Sequence, residues 1–509
     1  MRGDDVTGAK ILIVSSMIGK QVGHGDAKNL RVRRIVWQAA EVRINKMAIS
    51  HQVSSDLAPR AGSARELFEV AFPLILSSGS VSLMHVVDRI FLTWYSADAL
   101  AAALPAGMLH WTMLALPIGL AAYVNTFVAQ YDGAKRPKQV SLALWQGIFT
   151  GVCCGVVVTS AAPIAGILFH WIGHGGEVER METIYFTTLC FGSLPVILVT
   201  TLSCFFSGRG KTQVVMWVSL AGTVVNMGLD WCLIFGHGPF PRWGILGAAV
   251  ATIIGQLVSL LLYVVLLLQP RINVDYGFLS QCRLDRPLLR RYLRFGLPNG
   301  LRMLVDILAF TTFVMLVGRI SRDSLAATNL VFNVNTLSFL PMIGLGTAIM
   351  TLVGRRVGEG RPGLAVRTTW LAFKLSSAYM ICFAVAYLFL PHLLIAPYAA
   401  YSDPVAFERI GELVVLFLRF AAVFAFFDAM LIVFSSAVQG AGDTRFCLIF
   451  TFVVSLLVMV LPTWLALRYA DQKVLACWSA CTVFIVVMGI GFLLRFRSGR
   501  WKSMRVIEP

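Results

Sequence analysis

Twelve mostly apolar runs separated by short polar loops occupy nearly all of the chain after residue 65. They lie near 68–94, 104–131, 142–170, 181–206, 213–236, 244–268, 293–318, 329–353, 366–396, 409–434, 446–467 and 474–494. Each is about as long as the ~20 apolar residues a helix needs to cross a bilayer, or longer. In lipid every backbone polar group must be satisfied internally, which leaves helices or closed barrels, and none of the runs shows the strict alternation of a barrel strand. The pattern therefore predicts an all-α polytopic membrane protein with twelve transmembrane helices. The longest polar interruption, 269–292, separates six spans from six.

The halves repeat one another. Pro73 and Pro298 differ by 225, and the same offset relates Asp98 to Asp323, Leu100 to Leu325, Gly119 to Gly344, Gly133 to Gly358, Arg136 to Arg361 and Pro137 to Pro362. Further on, Gly208-Arg-Gly-Lys-Thr212 matches Gly440-Ala-Gly-Asp-Thr444 after a small insertion. An even number of spans per half gives both halves one orientation, so the repeat predicts two six-helix lobes related by an axis along the membrane normal. Two packed bundles can rock and expose a central cavity to either side. That is the behaviour of a transporter rather than of a receptor or an enzyme.

Composition sharpens the picture. The 509 residues are 57% hydrophobic and 14% charged, against about 25% charged in ordinary soluble chains. The net charge of +17 does not point to nucleic acid, because the basic residues gather in short loops and at the ends. With the N-terminus inside, inner loops and the C-terminal tail hold 21 Lys and Arg against 7 outside. Positive charge marks the cytoplasmic side, so both termini are expected there. Trp94, Trp171, Trp231, Trp243 and Trp478 fall near outer boundaries and read as an interfacial belt. Cys153, Cys154, Cys477 and Cys481 read as inert thiols in apolar stretches.

The expected organisation is a basic, disordered cytoplasmic tail over 1–65, a six-helix lobe over 66–268, a cytoplasmic linker over 269–292, a second lobe over 293–495 and a basic tail over 496–509. The patch Ile11–Gly19 is too short to span and lacks a cleavage site, and translation from Met47 is a sharper reading of the tail.

Carboxylates inside spanning helices are costly and mark functional sites by default. Asp88, Asp230, Asp306 and Asp428 are the candidates. Asn226 and Asp230 are four residues apart and share a helix face, and Thr252 supplies a hydroxyl on the next span. With Asp88 they make the oxygen set a hard cation prefers. Pro73 removes a backbone bond from the first helix and makes a hinge. The competing readings are that Asp88 merely pairs with Arg89, that Asn226 and Asp230 are polar glue between helices, and that Arg302 neutralises Asp306 four residues on. Arg419 is a further possible partner for Asp428. His85, one turn before Asp88, could relay protons, but a buried structural histidine is the plainer reading. His170 and His174 have metal-like spacing with no third ligand nearby.

Val86-Val-Asp-Arg-Ile-Phe91 with Asp98-Ala-Leu-Ala-Ala102, Asn226-Met-Gly-Leu-Asp230 with Gly247-Ala-Ala-Val-Ala-Thr252, and Gln439-Gly-Ala-Gly-Asp-Thr444 together resemble the multidrug and toxic compound extrusion (MATE) family, over about 66–500. The resemblance implies export of organic cations and drugs in exchange for H⁺ or Na⁺. Asp88, Asn226, Asp230 and Thr252 would form the cation site, Na⁺ among the candidates, and Pro73 would allow the first helix to bend. Asp306 and Asp428 correspond to acidic positions of some Na⁺-coupled members, with a glutamate usual at the first. Arg89 departs from the family's small polar residue. No cofactor beyond the coupling ion is expected. The expected setting is the inner (plasma) membrane of a bacterium, with a monomeric protein in contact with its lipids. The rival readings are a lipid-linked saccharide flippase on the same scaffold, for which Arg89, Arg302 and Arg419 speak, and a membrane-embedded enzyme, for which no catalytic cluster is visible. The substrate-binding residues are not legible.

Overall fold

The computed structural model describes residues 61–399 and 404–508. The expectations for the N-terminal tail through residue 60, disorder and a start at Met47, lie outside these residues. Among the described residues twelve helices are long and apolar enough to cross a membrane: α1 Ala64–Tyr95, α2 Ala97–Gly133, α3 Pro137–Ile172, α4 Gly176–Ser207, α5 Thr212–Phe235, α6 Ile245–Leu267, α7 Arg286–Gly318, α8 Arg322–Gly358, α9 Pro362–Phe389, α10 Arg409–Ala441, α11 Thr444–Tyr469 and α12 Lys473–Arg497. The protein is an integral membrane protein whose described residues form twelve candidate spans in two lobes.

Helix limits follow local chemistry. Ser63 caps α1 by accepting from the Glu66 amide at 3.2 Å, while the Glu66 carboxylate accepts from the Gly62 amide, one residue before the cap, at 2.6 Å. The linker is shorter than 269–292, because α7 begins at Arg286. Asp285 caps it, accepting from the Leu288 amide at 2.9 Å. Its first two turns are arginine-rich and so fall outside any apolar run. The ninth span stops at Phe389 rather than at 396, and Pro391 opens a separate short helix, Pro391–Ala399, since proline cannot donate to the preceding turn. Within α11 the six residues Ser455–Val460 form a π segment.

The lobes are built alike. In the first, α1 packs on α5, α2 and α3 on α4, and α4 on α6; in the second, α7 packs on α11, α8 and α9 on α10, and α10 on α12. Between lobes α1 packs on α8 and α2 on α7. The close approaches obey the repeat. A Cβ on Gly119 would stand 2.7 Å from the Gly300 Cα, and one on Gly344 would stand 2.6 Å from the Ile75 amide nitrogen. Residues 75 and 300 are themselves an offset pair. Nearer the chain termini, Gly133 abuts the Arg355 carbonyl and Gly358 abuts the Gln130 carbonyl, again an offset pair. Four glycines thus let the lobes meet backbone to backbone, as small residues do in membrane helix packing.

Cross-lobe polar bonds gather at one end of the bundle, the end carrying residue 61 and the C-terminal tail. Tyr123 donates to the Gln439 carbonyl at 3.1 Å, Asn125 to Thr351 at 2.9 Å, Gln130 to the Gly440 carbonyl at 3.0 Å, and Tyr292 to the Leu120 carbonyl at 2.7 Å. Arg356 of α8, only 6% exposed, pairs with Glu66 of α1 and with Glu359. Among the described residues no hydrogen bond or ion pair joins the lobes at the opposite end.

The basic C-terminal segment packs against the bundle as a strap. Trp501 is fully buried and stacks on Phe496 at 5.0 Å. The Val506 amide donates to Gln130 at 3.0 Å, and Glu508 accepts from Tyr131 at 3.1 Å and pairs with Arg291. The basic composition hides the three apolar residues, Trp501, Val506 and Ile507, that anchor it.

Of the expected belt, Trp94, Trp171, Trp231 and Trp243 are exposed. Trp478 is not; it is fully buried, stacked on Phe417 at 4.5 Å, with its indole N–H on Thr328 at 3.3 Å. Apolarity alone cannot tell an interfacial tryptophan from a core one.

Candidate functional site

The first lobe gathers its polar residues at one place. Asp88 projects from α1, and Asn226 and Asp230 from one face of α5; all three are buried, Asn226 and Asp230 completely. Thr252 comes from α6, where Asn226 donates its amide N–H to the Thr252 hydroxyl at 3.4 Å and that hydroxyl donates to the Ala248 carbonyl at 3.1 Å. The Asp88 and Asp230 carboxyls are neighbours that act on each other electrostatically. Neither side offers a donor, and Asp88 Oδ1, both Asp230 oxygens and Asn226 Oδ1 are buried without a hydrogen-bond partner.

Opposed buried acceptors are unfavourable unless something positive lies between them. A shared proton satisfies two carboxyls. A small hard cation is satisfied by the same four oxygens, with Thr252 in reserve. The residues present fit either ion.

The surroundings correct several expectations. His85 is not a buried structural histidine: its side chain is 54% exposed, and Nδ1 lies 4.0 Å from Asp88 Oδ2. Arg89 is exposed, and among the described residues it forms no ion pair with Asp88. Asp88 is therefore not consumed by its sequence neighbour. Tyr185 of α4 also stands in the electrostatic field of both carboxylates. A lone tyrosine in an apolar run carries no pattern that could have flagged it. Three residues earlier Glu182 is fully buried, bonded to His174 at 2.8 Å, with Oε2 unpartnered. His170 bonds to a different carboxylate, Glu179, at 3.2 Å, so the two histidines diverge rather than share a ligand.

The second-lobe acids do not join this cluster. Asp306 pairs with Arg302 at 3.4 Å along α7, as the i,i+4 spacing allows. Asp428 of α10 is buried near Tyr387 and Cys481. Arg419 is not its partner; it lines a separate cavity of 420 Å³ with His392 and Glu412. Pro73 sits inside α1 immediately before Leu74 and Ile75, which bear on Gly344 of the other lobe. The proline therefore stands directly beside the lobe crossing.

Comparison with known proteins agrees with this architecture. The MatE family model matches residues 73–232 and again 298–465, the two copies starting at the paired prolines. A probable multidrug resistance protein NorM of Thermotoga maritima is 26% identical over 448 residues, 87% of this chain and 94% of its own. The Burkholderia mallei protein of that name is 30% identical over 385 residues, 75% of this chain and 81% of its own. Among solved structures, one described as the outward-facing conformation of a multidrug resistance MATE family transporter superposes with a TM-score of 0.79 at 22% identity, covering 86% of this chain and 96% of its own. A MOP superfamily transporter from Pyrococcus furiosus superposes with a TM-score of 0.78, also at 22% identity, over 86% of this chain and 96% of its own. With two family-model copies spanning the two lobes that the repeat defines, the chain belongs to the MATE family of membrane transporters.

Proposed function

We propose that this transporter is an antiporter that exports lipophilic organic cations, drugs among them, across a bacterial inner membrane in exchange for H⁺ or Na⁺. The observation that carries the proposal is the opposed Asp88–Asp230 pair with its unpartnered buried oxygens. The names of the relatives, multidrug resistance proteins, support the substrate class. The bias of basic residues supports cytoplasmic termini, and with them a cytoplasmic location for the end closed by cross-lobe bonds.

Ion entry from outside neutralises the repulsion between Asp88 and Asp230 and lowers their demand for hydration. The outer half of α1 then settles against α5, with Pro73 taking up the bend. A cationic substrate held by the same negative charge loses its counter-charge as the ion arrives, so ion and substrate alternate. Asn226 and Thr252 orient the carboxyls or complete a Na⁺ shell. Asp306 and Asp428 are secondary candidates for cation coupling.

The test is efflux of a fluorescent organic cation from proteoliposomes under an imposed H⁺ or Na⁺ gradient. Wild type should export under one gradient, and Asp88→Asn should abolish the gradient-driven part. Intact coupled efflux in Asp88→Asn would refute the coupling role. No cation efflux under either gradient would refute the substrate class and favour a lipid-linked saccharide.

A further inference from the structure

At the end of the bundle closed by cross-lobe bonds lies a cavity of about 1170 Å³. Six guanidinium groups line it, from Arg286, Arg290, Arg291, Arg294, Arg445 and Arg505, and Glu508 is the one carboxylate in its wall. They come from three separate segments: the first turns of α7, the start of α11 and the C-terminal strap. Glu508 is already engaged by Arg291 and Tyr131. Among the described residues Arg286, Arg290, Arg445 and Arg505 form no ion pair. Arg286, Arg290 and Arg294 recur at intervals of four on one helix, so their like charges stand one above another, which destabilises a helix unless an anion intervenes. The positive-inside bias explains why basic residues are abundant at this end. It does not explain why six of them, from three segments, converge on one cavity.

We propose that this cavity binds the phosphate headgroup of an anionic phospholipid. Guanidinium forks hold phosphate oxygens in pairs, and basic pockets between membrane helices at this face suit anionic headgroups. The apolar surroundings favour a lipid over a free anion. Phe295, Val506 and Ile507 form part of the wall, while Leu293 and Leu297 are exposed on α7 beside Arg290 and Arg294, where acyl chains would lie. Glu508 competes with the headgroup for Arg291, so the strap and the lipid share a ligand.

The experiment is native mass spectrometry of the full chain in detergent, titrated with phosphatidylglycerol, with phosphatidylcholine of the same acyl chains, and with inorganic phosphate. Wild type should retain phosphatidylglycerol at least tenfold more tightly than phosphatidylcholine. The double variant Arg290→Gln/Arg445→Gln should lose that preference, while Arg500→Gln/Lys502→Gln, also basic but outside the cavity, should keep it. Glu508→Gln should tighten phosphatidylglycerol retention severalfold, a direction that misfolding would not produce. Equal loss in both double variants, or no preference in wild type, would overturn the proposal. Full displacement of the lipid by millimolar phosphate would reassign the cavity to a soluble anion and overturn the lipid assignment.

Discussion

Replacing Glu66 with glutamine removes a negative charge that α1 presents to Arg356 of α8 across the lobe boundary. The two side chains are 14% and 6% exposed, so the pair is shielded from water. A hydrogen bond to a charged group contributes about 1.5–3 kcal/mol net. Arg356 keeps Glu359, which accepts at 2.9 and 3.0 Å, so the lower part of that range applies, about 1.5–2 kcal/mol. At 1.4 kcal/mol per factor of ten, the population in which this end has opened should rise about ten- to thirty-fold. Ala129 reports on it, because it is fully buried and lies 3.1 Å from where a Cβ on Gly354 would stand. In a background without the ten native cysteines, Ala129→Cys should react with a water-soluble maleimide ten- to thirty-fold faster when Glu66→Gln is added. Glu69→Gln is the control, since its partner Arg65 and Glu69 itself are 64% and 50% exposed and such pairs contribute little. The same labelling rate with Glu66→Gln as with Glu69→Gln would show that this ion pair does not hold the lobes together.

Three further outcomes are expected. Arg495→Met leaves Asp443, 7% exposed and bonded to Arg495 at 2.6 and 2.7 Å, without its counter-charge; a loss of about 3 kcal/mol should appear as a lower unfolding temperature, largely restored by adding Asp443→Asn. Gly344→Val puts a side chain into the Ile75 backbone and should cost about 1–3 kcal/mol, whereas Gly228→Ala meets nothing within 4 Å and should gain up to about 1 kcal/mol from helix propensity, both read by thermal unfolding in detergent. Asp230→Asn supplies the donor that the Asp88 pair lacks, so it should leave the fold at least as stable as wild type while abolishing gradient-driven efflux; a destabilised but still coupled variant would contradict the site.

The span count and the repeat were legible because both are patterns of many residues, and burying helices in lipid forces apolarity over whole segments. Asp88, Asn226, Asp230 and Thr252 stood out because polar atoms are expensive there. Tyr185 did not, since half of a tyrosine is as apolar as its neighbours. Glu182 sits at the edge of an apolar run, where a carboxylate looks like a loop residue, yet the fold buries it completely. The exposure of His85 and the burial of Trp478 depend on which way a helix is turned, information that a single span does not contain. The strap at 501–508 looks like a charged tail in the sequence, because the groove that takes its three apolar residues and the partners of Val506 and Glu508 belong to other segments.

The paired glycine crossings have a mechanical consequence. Two bodies touching at two points keep one easy rotation, about the line joining those points. The contacts of Gly119 with residue 300 and of Gly344 with residue 75 supply such a line, beside the two helix prolines. Gly133 and Gly358 lie fourteen residues further along their helices, about 20 Å away at 1.5 Å per residue, and act as a clasp at the end of a lever. A rotation of only a few degrees about the upper pair moves the clasp by an ångström or more, which is enough to part backbones in direct contact. The duplicated sequence therefore sets both a pivot and a distant clasp from one set of small residues, and parting the clasp also means breaking the Tyr123, Asn125, Gln130 and Arg356–Glu66 bonds that join the lobes at that end.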